Sequence, residues 1–216
     1  MFTGFSPETV DFLWGIRMNN NREWFLDNKK NYVNFLYEPM KALGKQLYEP
    51  FMEGRTGDIC KVSRIYRDAR MHHDLPYKES LWVCIRQDGQ WWDESGCLYC
   101  EINPEGVDYG FFLYKPRPAA MEALRKHLAA NPDPFLNMIK SVEEATGERV
   151  TAQCYKRPKP CDNPDLAPYF AWKEQISCSR HEDFGDEVFS PELARRVALF
   201  FQQALPLYDY FNTFKY

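Results

Sequence analysis

No apolar run in this 216-residue chain approaches the roughly 18 to 20 residues that span a bilayer, so no membrane helix is expected. The opening Met1-Phe2-Thr3-Gly4-Phe5-Ser6-Pro7-Glu8 lacks a basic stretch leading into an apolar one, and no secretory leader is expected. The seven cysteines are odd in number and lack small-scaffold spacing. Reduced thiols and a cytoplasmic location follow from that more readily than a disulfide framework. Excess positive charge is also missing: the net charge is −4 and the pI about 5.7, which argues against nucleic acid or anionic membrane as partners. There is no G-x-S-x-G elbow, P-loop, dinucleotide fingerprint or H-E-x-x-H. None of these motifs therefore assigns a chemistry, and the cofactor is left unknown. Internal repeats and low-complexity tails are absent as well.

Aromatic residues, by contrast, are plentiful, at 16% of the chain. That argues for a packed core and against disorder. A chain of this length buries roughly 70% of its unfolded surface without staples, and residues 1–216 are expected to form a single domain.

Ser6-Pro7-Glu8 is a helix start, with Ser as N-cap, Pro at the first helical position and Glu near the positive end of the dipole. Asn21 caps a second, longer helix through Trp24, Phe25, Tyr32, Phe35 and Leu36, which Pro39 should kink or restart before a stretch running to about Phe51. Short runs rich in aromatic and β-branched residues predict strands at 59–66, 81–87, 98–102, 109–114 and 175–180. The turn cluster Asn103-Pro104-Glu105-Gly106 predicts a hairpin between the third and fourth. Helices are expected at 118–130 and 134–146, then a Pro-rich connector, then a C-terminal helix started by Ser190-Pro191-Glu192. This order predicts an α+β fold, with a central, mainly antiparallel sheet flanked by N-terminal and C-terminal helices.

Charge is unevenly distributed. Between Arg55 and Arg86 there are seven basic and four acidic residues, so this segment is +3 and the rest of the chain −7. Within it, Arg64, Arg67 and Arg70 follow one another at three-residue intervals, accompanied by Asp68, Asp74, Tyr77 and Lys78. A guanidinium offers a planar fork of donors that matches carboxylate and phosphate oxygens, and three such groups are costly to hold together without negative charge among them. As a strand, Arg64 and Arg70 share a face with Tyr66 and Asp68; as a helical turn, Arg64 and Arg67 share one with Asp68 and Met71. Pro76 keeps Leu75 extended, so Tyr77 and Lys78 enter a new element from a loop. Two readings stay open: a pocket for an anionic small molecule, or an internal Arg–Asp network that fixes a loop on the sheet.

Other groupings are weaker. Lys156-Arg157-Pro158-Lys159-Pro160 is a second basic patch, either a solvated loop or a cover for the first. Cys97 and Cys100 have C-x-x-C spacing, but on a strand their thiols point to opposite faces, so no metal site is expected. His72-His73 beside Asp74 has the composition of a general base, yet adjacent histidines in a loop are ordinarily solvated. Trp91-Trp92 and the tyrosines fall at core spacing, so burial explains them better than base stacking.

The residues Phe2…Phe5-Ser6-Pro7, Phe12-Leu13, Asn19-Asn20…Trp24-Phe25, Tyr32, Pro39, Arg67-Asp68…Arg70…Asp74…Pro76-Tyr77-Lys78, Lys156-Arg157-Pro158 and Pro206-Leu207 resemble domain of unknown function family 2461 along nearly the whole chain. The family's central pattern is similar to R-D-x-R-F-x-K-D-K-x-P-Y-K. Here Met71 stands for the Phe and His73 for the first Lys, and the second Lys is lost with a shortening at Leu75. The resemblance implies one domain and brings no activity with it. The expectation taken forward is a small-molecule-binding protein, enzymatic or not. Its anion site would draw on Arg64, Arg67, Asp68, Arg70, Asp74, Tyr77, Lys78 and Arg157, with no catalytic residue assigned. The alternative is a non-catalytic module that docks an acidic partner, its Arg/Asp cluster mainly structural. The sequence specifies no oligomeric state.

Overall fold

The structure, a computed structural model, describes residues 1–52, 54–55, 57–68, 70–72, 74–89 and 95–213. Helices α1 (Pro7–Met18), α2 (Arg22–Asp27) and α3 (Lys29–Asn31) are followed by a π-helical turn at Tyr32–Tyr37 and by α4 (Glu38–Met52). Strands β1 (Asp58–Val62), β2 (Leu81–Gln87), β3 (Cys97–Asn103) and β4 (Gly106–Leu113) come next. Then follow α5 (Pro118–Ala130), α6 (Pro132–Thr146), β5 (Thr151–Cys154), α7 (Ala167–Phe170), β6 (Trp172–Asp183) and α8 (Glu192–Thr213). The strands form one antiparallel sheet in the order β1-β2-β3-β4-β6-β5, and the fold is α+β.

Most elements start where their residue chemistry says they should. Ser6 is extended before α1, and its amide donates to the Thr9 hydroxyl at 3.1 Å. Asn21 caps α2 by accepting from the Trp24 amide at 2.9 Å. The Asn103 carboxamide accepts from the amides of Glu105 (2.8 Å) and Gly106 (3.1 Å), which closes the β3–β4 hairpin.

Three expectations need correction. The long second helix is broken into α2, α3 and the π turn, while the restart expected at Pro39 falls at Glu38, where α4 begins. Pro39 has no amide to return to the carbonyl of Phe35 four residues earlier, and that carbonyl accepts the buried Thr9 hydroxyl at 2.5 Å instead. The first strand ends at Val62, and Tyr66 joins Tyr77 only through an isolated antiparallel bridge. The strand β5 was not foreseen, because an exposed four-residue edge strand carries no apolar alternation.

The chain divides into two compact units, each discontinuous in sequence. The first comprises Met1–Ile85, Tyr99–Tyr109 and His181–Leu199. Its core includes Phe12, Leu13, Ile16, Phe25, Leu36, Met40 and Tyr77. The second comprises Arg86–Leu98, Gly110–Arg180 and Phe200–Tyr216. There Phe135, Tyr169 and Trp172 pack edge to face, and buried Arg125 donates to the carbonyls of Phe170 (3.2 Å) and Trp172 (2.9 Å). Among the described residues no helix is long and apolar enough to cross a membrane.

Gly110 lets β4 approach β6 within the second unit. Its φ is +154°, and an added Cβ would lie 2.2 Å from the Cys178 carbonyl oxygen. Gly110→Ala should therefore cost about 3 kcal/mol, read as a lower urea midpoint at unchanged m-value. Gly185→Ala, where the new carbon meets only the Glu187 carboxylate at 3.4 Å, should change the midpoint little.

Candidate functional site

The segment between β1 and β2 is irregular, so its backbone polar groups need partners from elsewhere. Asn20, just beyond α1, supplies two of them: its Oδ1 accepts from the Tyr77 amide and its Nδ2 donates to the Tyr77 carbonyl, each at 2.9 Å. The same carbonyl accepts from Arg67 Nε at 2.8 Å. Around the bridge, Arg67 N donates to the Pro76 carbonyl at 2.9 Å and Lys78 N to the Ile65 carbonyl at 2.7 Å. The Tyr77 ring is buried and stacks on Phe25, with centroids 4.2 Å apart. Asp68 organises the next turn, accepting from the Arg70 amide and pairing with the Arg70 guanidinium at 3.0 and 2.7 Å.

These fixed points leave an open hollow of about 710 Å³ within the first unit. Arg17 comes from the last turn of α1, and Tyr66, Arg67, Asp68, Met71 and His72 from the loop after β1. Lys78, Glu79 and Ser80 line the approach to β2, Glu101 and Asn103 come from β3, and Glu105 from the hairpin turn.

Charge in the cleft is mixed. Arg17 donates to Glu79 at 2.6 Å and to both oxygens of Glu105, while its guanidinium sits 4.9 Å from the Trp14 ring centre. Those bonds hold the Glu105 carboxyl below the usual carboxylate range. Arg67 and Lys78 differ from Arg17. Among the described residues no acceptor meets the two terminal nitrogens of Arg67 or the Lys78 ammonium. Burial pulls Lys78 below its ordinary value; the nearby Glu101 charge opposes this, and that of Arg67 adds to it. Glu101 is displaced the other way, upward, chiefly by burial and further by Asp108, against the Ser80 hydrogen bond and the Lys78 charge.

The sequence-derived candidates separate into groups. Arg67, Asp68 and Lys78 are brought together in the lining. Arg64, Arg70 and Asp74 are exposed and outside the described lining, the Arg70 side chain keeping 87% of its surface. Tyr77 is in the core, and the described residues use its backbone rather than its hydroxyl. Arg157 is exposed on the loop after β5, in the second unit. His72 lines the cleft, whereas His73 and Trp91-Trp92 lie outside the described residues. All seven cysteines are free thiols, with Cys97 half-buried and Cys100 fully buried. No group of three potential metal ligands assembles among the described residues. Sequence reasoning missed Arg17, Glu79, Ser80, Glu101, Asn103 and Glu105. The one available signal was Glu101 itself, an acid on the half-exposed face of a strand that alternates with buried Leu98, Cys100 and Ile102.

The family model for conserved hypothetical proteins, DUF2461, matches residues 8–210. The chain belongs to DUF2461. No curated protein matches it. In this DUF2461 protein the match takes in every residue of the cleft lining.

Two outcomes test the geometry. Asn20→Ala removes both bonds to the Tyr77 backbone and should cost about 2 kcal/mol. Amide exchange should accelerate selectively around Tyr77. Glu101 has a raised folded-state pKa, so the stability linked to its protonated form is complete below the unfolded-state value and is lost as pH rises through the folded one. Glu101→Gln should therefore melt higher than wild type near neutral pH. That gain should vanish in acid below the ordinary glutamate range.

Proposed function

We propose that the cleft binds a small organic anion, phosphorylated or carboxylated, through Arg67 and Lys78. The observation that carries this reading is the contrast among its cations. Arg17 is engaged by Glu79 and Glu105. Arg67 and Lys78 line the same hollow, and among the described residues no acceptor meets the terminal nitrogens of Arg67, while the Lys78 ammonium has only the Trp82 ring, its centre 5.7 Å away. A half-buried ammonium without an anionic hydrogen-bond partner is unfavourable, and an incoming anion relieves that cost. Each charge-assisted bond contributes about 1.5 to 3 kcal/mol, so a pair supplies about 3 to 6 kcal/mol before ordering costs, which corresponds to affinity of about millimolar order. Should the ligand be a substrate, Glu101, which lines the same hollow and whose carboxyl burial pushes upward, is the residue to test for proton transfer. A second reading, docking of an acidic partner, is favoured by exposed Arg64 and Arg70 beside Met71 and Leu75, which keep 77% and 45% of their surface.

Inorganic phosphate is the direct probe. At about a hundredfold excess over Kd it should stabilise wild type by about 2.7 kcal/mol, a Tm rise of about 5 to 10 °C. Lys78→Met keeps the packing of the stem and should weaken phosphate at least tenfold by calorimetry. A paired Arg64→Ala/Arg70→Ala variant should bind phosphate as wild type does. If that pair, and not Lys78→Met, abolishes binding, the docking reading replaces the cleft.

A further inference from the structure

The cleft has an apolar wall that a bare inorganic anion would leave unused. Tyr66 and Met71 both belong to the lining, yet keep 53% and 77% of their surface exposed. Tyr66 is not a loose side chain. Its backbone is held in the bridge to Tyr77, flanked by the Arg67–Pro76 and Lys78–Ile65 hydrogen bonds. Its ring rests against Phe25 at 5.6 Å, edge to face, and against Tyr77 at 5.5 Å. A ring already immobilised by its neighbours gives up little freedom when something stacks on it, so its remaining exposed surface is a prepared contact. It sits one residue from Arg67 in sequence and across the bridge from the residue preceding Lys78. The volume, about 710 Å³, is that of a site for a drug-sized molecule, far beyond a lone phosphate or carboxylate.

We infer that the ligand is an aromatic organic anion, its charged head on Arg67 and Lys78 and its ring on Tyr66 and Met71. This rests on the anion-site reading and narrows it to a substrate class. Phosphate and carboxylate heads present the same oxygen chemistry to the two cations, so the discriminating feature is the body attached to the head. An aliphatic body of similar charge gains only the burial term, whereas a planar ring also gains the geometry of an aromatic pair.

The test compares phenyl phosphate with methyl phosphate by calorimetry on the full chain at about pH 8, where both esters are dianions. Phenyl phosphate should bind wild type about tenfold tighter. Tyr66→Phe should keep that advantage, and Tyr66→Ala should reduce it to within about twofold while leaving methyl phosphate unchanged. Met71→Ala, at an exposed side chain that tolerates truncation, should reduce it partly and reports independently if Tyr66→Ala folds poorly. Equal affinities for the two esters in wild type, or an advantage that survives Tyr66→Ala, overturns the aromatic class and leaves the anion site standing. Failure of both esters to bind, or phenyl phosphate binding that Lys78→Met does not weaken, overturns the anion site itself.

Discussion

The peptide group of Tyr77 is the point from which the cleft is hung. An irregular segment between two strands cannot satisfy its own amides and carbonyls, so something outside must hold it. Here the Asn20 carboxamide grips both sides of that one residue, and Arg67 adds a third bond to its carbonyl. The ring below is fixed by stacking on Phe25. With Tyr77 anchored above and below, Lys78 and Glu79 leave it in a defined direction, and Tyr66 and Arg67 are placed by the bridge opposite. Helix α1 therefore acts on the cleft twice, through Asn20 just after its end and through Arg17 in its last turn.

The same geometry explains why a locally basic segment does not create a basic hollow. Arg17 spends its charge on Glu79 and Glu105, and Asp68 is occupied by Arg70. Strand β3 then contributes a further acid, Glu101, to the wall shared with Lys78. The cations of the lining are thus matched by the acids Asp68, Glu79, Glu101 and Glu105, and Arg67 and Lys78 differ from Arg17 in having no described acceptor at their terminal nitrogens. That narrows three sequence arginines to one arginine and one lysine. It also leaves the two remaining arginines on open surface, where water screens them.

How much of this was legible in the sequence depends on whether the signal was local. Strand β2 and helix α5 could be read from residue pattern and from Pro118 at the helix start, because periodicity and capping act within a few residues. The β3–β4 hairpin was legible for the same reason, Asn103 bonding to amides two and three residues on. Strand β5 was not, since an exposed edge needs no apolar face. In the second helix Pro39 signalled the restart, whereas the π turn before it was hidden, since the Thr9 hydroxyl that meets the Phe35 carbonyl lies 26 residues away. The cleft follows the same rule. Arg67 and Lys78 stood out as a cluster, whereas Arg17, Glu101 and Glu105 become neighbours only through tertiary folding. Tyr77 looked like a donor and serves as a pillar, because its phenol is an apolar ring to everything beneath it.

The hydroxyl of Thr9 carries a consequence of its own. It receives the Ser6 amide and gives its proton to Phe35, standing in for the amide that Pro39 does not have. A valine there would match its shape and take the donor away from that oxygen. Replacing Pro39 by a residue with an amide would restore a donor from within the helix. The two positions are thus thermodynamic partners across thirty residues, and family members that part with one should be found to have parted with the other.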